Sequence, residues 1–204
     1  WEPGTVESTV RVALREAHRD AGEEEHGPEM WAGSYAQRKK PSDSETQPYI
    51  QIGEALTLLA RKLGGGIPLA SLTLIEGTPT SGKSVLCQHL AYGSLLDGRG
   101  VAYFSSEYTS TGLMKQMDSI GLRASKYLEK GRMDIYPVQD PDNENDSGPM
   151  LGALRQDIGQ VSSQSDLVIV DAVTRLVSFS TNKDIMALFS SMRSLCSKGK
   201  TVII

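Results

Sequence analysis

The chain has 204 residues, enough for one domain with an appendage, and 39% of them are hydrophobic, enough for a packed core. No stretch approaches the roughly 20 apolar residues of a membrane helix, and no secretory h-region opens the chain, so the expected compartment is the cytoplasm. The net charge of −4 lies wholly in residues 1–50, with six basic and ten acidic residues, while 51–204 carry fifteen of each. That balance is not the basic footprint of a nucleic-acid binder, and no nucleic-acid partner is expected.

Residues 1–48 are polar and interrupted by Gly and Pro. One short helix is predicted there over 5–18, where Val6, Val10, Leu14 and Ala17 recur at helical spacing. The segment reads as an extension or linker. The domain proper is expected over 49–204. Leu56, Leu58, Leu59 and Leu63 suggest a short helix running into Gly64-Gly65-Gly66-Ile67-Pro68. A strand is predicted at Leu72–Ile75, then a glycine-bearing loop over 77–84 and a helix from Gly82 to Leu96. Asp97-Gly98-Arg99-Gly100 stops that helix with turn chemistry.

Further strands are predicted at Val101–Ser105, Met133–Val138 and Leu167–Asp171, and another begins at Thr201–Ile204. Helices are predicted at Thr111–Ile120, Met150–Ser162 and Lys183–Ser197, with a loop over Gln139–Pro149. The strands are apolar on both faces and alternate with helices. The fold class is therefore α/β, a mostly parallel central sheet with helices on both faces. The chain starts at Trp1 and stops within an apolar run, so the domain is expected to be incomplete at its C-terminal end.

Gly77-Thr78-Pro79-Thr80-Ser81-Gly82-Lys83-Ser84 matches G-x-x-x-x-G-K-[ST] without a mismatch, between a predicted strand and a predicted helix. Glycines let the backbone curl so that N–H groups point inward at phosphate oxygens, and a helix N-terminus adds partial positive charge. Lys83 is suited to reach the β- and γ-phosphates of ATP, and the Ser84 hydroxyl to ligate Mg²⁺. The candidate nucleotide-binding residues are Gly77, Thr78, Pro79, Thr80, Ser81, Gly82, Lys83, Ser84 and Val85.

Asp171 ends an all-apolar strand, Leu167-Val168-Ile169-Val170. Many strands end in Asp, but downstream of a phosphate loop the pattern is that of a Walker B carboxylate. With Ser84 it forms the candidate metal pair, Asp171 acting through water because Mg²⁺ dehydrates reluctantly. Glu107, just beyond the strand Val101–Ser105, is either a solvated loop residue or a group that orients or deprotonates an attacking water. Thr109, Ser110 and Thr111 are placed to cap the next helix. Arg175 and Asp184 have no role readable from sequence. Cys87 and Cys196 read as free thiols in apolar helices, and His18, His26 and His89 form no zinc-like spacing with them.

Several stretches carry a family resemblance: Leu63-Gly64-Gly65-Gly66-Ile67-Pro68, Ser71 to Gly77, the phosphate loop through Val85-Leu86, Ala91-Tyr92-Gly93, Lys115-Gln116-Met117, and Leu195 to Ile204. Over about 49–204 the chain resembles the KaiC/RecA-like ATPases, and more closely the FlaH family of archaellum accessory proteins. Two positions depart from that family: Thr78 stands where Asp is common, and Ala172 where Ser often follows the Walker B aspartate. Neither removes a phosphate or magnesium ligand.

The resemblance implies a RecA-like P-loop fold and a cytoplasmic ATP-binding subunit peripheral to a membrane-anchored motor. It implies a homo-oligomeric ring, with the motor ATPase and a scaffold ring as partners. Hydrolysis is expected to be slow or absent, with ATP acting as a switch for docking. It also implies that Glu107 is the family's glutamate after the second strand. The competing readings are an actively hydrolysing KaiC-like ATPase or autokinase, and a recombinase-like DNA-dependent ATPase.

Overall fold

Apolar residues on both faces of a strand must be covered on both sides, and the central sheet has helices packed on each face. The computed structural model describes residues 49–51, 63, 65–139, 147–161 and 164–204. In chain order the elements are β1 (Tyr49–Gln51), β2 (Gly66–Pro68), β3 (Leu72–Thr73), α1 (Lys83–Leu96), β4 (Val101–Ser105), α2 (Ser110–Ser119), α3 (Ser125–Glu129) and β5 (Met133–Pro137). They continue with α4 (Ser147–Val161), β6 (Leu167–Asp171), α5 (Thr174–Ser178), α6 (Asn182–Cys196) and β7 (Thr201–Ile203). The extension over 1–48, with its expected helix, lies outside the described residues, as does most of the helix expected before Gly64.

Five strands form one sheet in the order β3-β7-β6-β4-β5, and every pairing in it is parallel. All five residues of β4 and of β6 are buried, as their continuous apolar character demands. Odd-numbered positions of β4 and β6, such as Tyr103, Leu167 and Ile169, pack with Leu86 and Leu90 of α1 and Leu113 and Met117 of α2. Even-numbered positions, Ala102, Phe104, Val168 and Val170, pack with Leu151, Leu154 and Ile158 of α4 and Leu188 and Met192 of α6. The expected layered α/β architecture is the one that forms.

α1 is buried without interruption from Leu86 to Leu95, so it cannot show the one-sided stripe of a surface helix. It ends at Asp97, and Gly98 takes φ 81°, the left-handed conformation that glycine adopts at least cost.

The structure departs from the sequence reading in four places. Gly66–Pro68, read as a glycine-rich approach, pairs antiparallel with Tyr49–Gln51, Ile50 facing Ile67. Pro68 is tolerated because it ends an edge strand. α3 and α5, five residues each, are new elements too short to show periodicity. α4 begins at Ser147 and not after Pro149. A proline in the first helical turn costs no hydrogen bond, because N–H groups there have no partner in the helix. β3 covers only two of its four expected residues, although Ile75 N still donates to Ile204 O at 2.7 Å beyond it.

Candidate functional site

The loop between β3 and α1 lies at the C-terminal edge of the sheet, largely exposed from Glu76 to Thr80. Two of its residues have positive φ, Gly82 at 84° and Thr80 at 65°. A β-branched residue rarely adopts that conformation, so Thr80 is held there by the curl of the loop. A Cβ at Gly77 would meet Ser81 Oγ at 2.6 Å, so any larger residue there would force the Ser81 hydroxyl to turn away. Ser81 N donates to Thr78 O at 3.2 Å and tightens the turn. Lys83 Nζ folds back into the loop and donates to Gly77 O and Thr78 O, each at 2.9 Å. The ammonium thus sits inside a ring of backbone at the start of a 14-residue helix.

Ser84, on the first turn of α1, meets Asp171 at the end of β6. Its hydroxyl donates to Asp171 Oδ1 at 3.0 Å across 87 residues of chain. Asp171 is buried, and its second oxygen accepts a 2.7 Å hydrogen bond from the Tyr103 hydroxyl. Burial, followed by the charges of Cys87 and Asp171, the bond to Asp171 and the charge of Glu107, raises the Tyr103 phenol well above its usual range, so it remains a donor. Burial also pushes the neighbouring Cys87 thiol well up, with Asp171 adding and Lys83 opposing; it is an inert thiol.

Glu107 is exposed in the loop after β4. That loop is fastened to the end of β6 by Ser106. Its amide donates to Asp171 O at 3.0 Å, and its hydroxyl donates to Ala172 O at 3.1 Å and accepts from Ala172 N at 3.3 Å. The Asp171-Ala172 peptide is cis. Ser105 Oγ accepts from Tyr108 N at 3.0 Å, and Thr109 caps α2 by accepting from Gly112 N at 3.2 Å, the capping use expected of that hydroxyl cluster.

The structure therefore brings Gly77 to Ser84 and Asp171 together, with Val85 half-buried just inside the helix, and ties Glu107's loop to the same edge. Sequence reasoning missed Tyr103 and Ser106. Both lie in or beside an apolar strand, and only the β4–β6 register reveals what they touch. A tyrosine inside an otherwise apolar run, and a serine just beyond its end, were the signal available.

A hydroxyl and a carboxylate within hydrogen-bond distance are hard oxygen donors of the kind Mg²⁺ takes while keeping several waters. The curled loop, its lysine and the helix N-terminus are complementary to a polyphosphate. The residues present fit magnesium and a nucleoside triphosphate.

The KaiC ATPase family matches residues 55–204. The chain is 34% identical over 143 residues to the archaeal flagellar ATP-binding protein FlaH of Methanocaldococcus jannaschii, covering 67% of this chain and 60% of that one. It is 29% identical over 147 residues to FlaH of Methanococcus voltae, covering 70% and 62%. The crystal structure of flagellar accessory protein FlaH from M. jannaschii superimposes with a TM-score of 0.56 at 29% identity, covering 71% of this chain and 64% of that one. The chain spans about 60% of the length of the curated relatives it matches. The match over residues 55–204 covers well over half of the molecule, and the chain belongs to the KaiC ATPase family, with its RecA-like fold.

Proposed function

We propose that this protein is an ATP-binding regulatory subunit of the archaeal flagellar motor, in which nucleotide binding switches assembly with the motor ATPase and turnover is slow. The observation that carries the nucleotide reading is the meeting of Ser84 Oγ and Asp171 Oδ1 at 3.0 Å beside the loop that holds Lys83. The flagellar reading is supported by the relatives described as archaeal flagellar ATP-binding proteins.

In this reading the amides of Gly77 to Ser84 hold the phosphates, and Lys83 exchanges its two carbonyl partners for phosphate oxygens. Ser84 and Asp171 would hold Mg²⁺, which would neutralise phosphate charge when bound. The binding free energy acts on assembly only so far as ATP prefers the assembly-competent state. The motor ATPase, a scaffold ring and further copies of this chain are the proposed partners.

One observation favours a second reading, an actively hydrolysing ATPase. Ser106 fastens the loop of Glu107 to Asp171 and Ala172, which is how a water-orienting carboxylate would be kept beside a γ-phosphate.

One preparation tests both. ATP binding and steady-state hydrolysis are measured together, with Lys83→Ala and Glu107→Gln as variants. The regulatory reading expects micromolar binding, negligible turnover, and a loss of at least about tenfold in affinity in Lys83→Ala. Robust turnover abolished by Glu107→Gln selects the enzyme. Undiminished binding by Lys83→Ala overturns the nucleotide site itself.

A further inference from the structure

A carboxylate at a strand end turns about two side-chain torsions, so the aim of Asp171 must come from what it touches. The β4–β6 register shows what that is. Ser105 lies opposite Asp171 and Tyr103 lies opposite Ile169, so Tyr103 is the diagonal neighbour of Asp171, one step back on the α1-facing side. Diagonal neighbours in a sheet are about 7–8 Å apart, too far for a short side chain but within reach of a long aromatic one.

Tyr103 spans the gap and donates to Asp171 Oδ2 at 2.7 Å. Its side chain has no exposed surface and packs in the core beneath α1, which fixes the ring and with it the hydroxyl. The two oxygens of Asp171 are thereby divided, Oδ2 committed to the phenol and Oδ1 turned to Ser84. Packing alone does not require this hydroxyl. Phenylalanine would fill the same space, and a buried hydroxyl is a cost unless it is hydrogen-bonded.

The geometry points to Tyr103 as a positioning residue: by holding Asp171 Oδ2, it keeps Oδ1 aimed at Ser84 and at the magnesium of a bound nucleotide. The assignment rests on the nucleotide reading above. Tyr103 is buried behind Asp171 and lies outside the loop Gly77 to Ser84, so it acts on the magnesium-dependent part of binding and not on the phosphate cradle. Groups that orient a metal ligand from behind change metal affinity by about 10–100-fold when removed.

The test is Tyr103→Phe in the full chain, with ATP affinity measured in EDTA and across a magnesium titration. In EDTA the variant should bind within about twofold of wild type, because Gly77 to Lys83 are untouched. The magnesium concentration giving half of the full affinity gain should rise about tenfold. In an Asp171→Ala background, Tyr103→Phe should add nothing further, because the two act as one unit.

A folded Tyr103→Phe with wild-type magnesium dependence overturns the assignment. So does equal weakening with and without magnesium, which would mark a packing role, and so does full additivity with Asp171→Ala. These outcomes leave the nucleotide reading standing. Wild-type protein without Lys83-dependent binding overturns both together.

Discussion

His89 is fully buried in α1, and loss of hydration lowers its pKa from 6.5 to about 4. The folded state therefore holds a neutral imidazole, and the unfolded chain binds the proton more readily. The stabilisation is complete above about pH 6.5 and is lost as the pH falls toward 4. Between pH 7 and pH 5 the loss is about 2 kcal/mol. Urea unfolding at the two pH values should show that decrement, and a His89→Leu variant should lack it. At this same scale, Lys83, Ser84 and Asp171 were readable in the sequence as candidates for one site, and Ser84 and Asp171 do meet. Lys83 and Ser84 sit in a fixed motif, and Asp171 ends an apolar run. Tyr103 and Ser106 were not, because each acts on a residue brought beside it only by strand register, 68 positions away for Tyr103 and 66 for Ser106.

Among the elements, α6 illustrates how a local signal and a tertiary one combine. Thr181 accepts from Asp184 N at 3.3 Å and donates to Asp184 Oδ2 at 2.6 Å, so cap and first-turn acid fix the start of the helix together. Asp184, without a role at the level of sequence, is the partner of that cap. Leu188, Met192 and Leu195 then bury one stripe against the sheet. Removing the cap in Thr181→Ala should cost about 1 kcal/mol of stability in chemical denaturation. Nucleotide affinity should not change, since α6 packs on the face opposite α1. Long elements of this kind were readable from periodicity. β1, β2, α3 and α5 were not, because three to five residues cannot display a period, and their existence is decided by what they pack on.

In the molecule as a whole, alternating apolar strands and helices announce a parallel sheet, but nothing in that alternation gives the order of its strands. The observed order places β7 between β3, which leads into the phosphate loop, and β6, which delivers Asp171. The two halves of the candidate site therefore rest on strands that are not bonded to each other, and among the described residues β7 is the strand that joins them within the sheet. Val202 N and Ile204 N donate to Ser71 O and Thr73 O on one side, and Thr201 N donates to Asp166 O on the other. A ligand gripped at once by the loop and by Asp171 resists any separation of the strands on either side of β7. Hydrogen–deuterium exchange at Thr201, Val202 and Ile204 should therefore slow when magnesium and ATP are added, although each of these amides is bonded to a neighbouring strand and not free to meet a ligand. In Lys83→Ala the same amides should exchange at the ligand-free rate. The strand in the middle would then act as a strain gauge for the site, reporting occupancy through the rigidity of the backbone on which both halves hang.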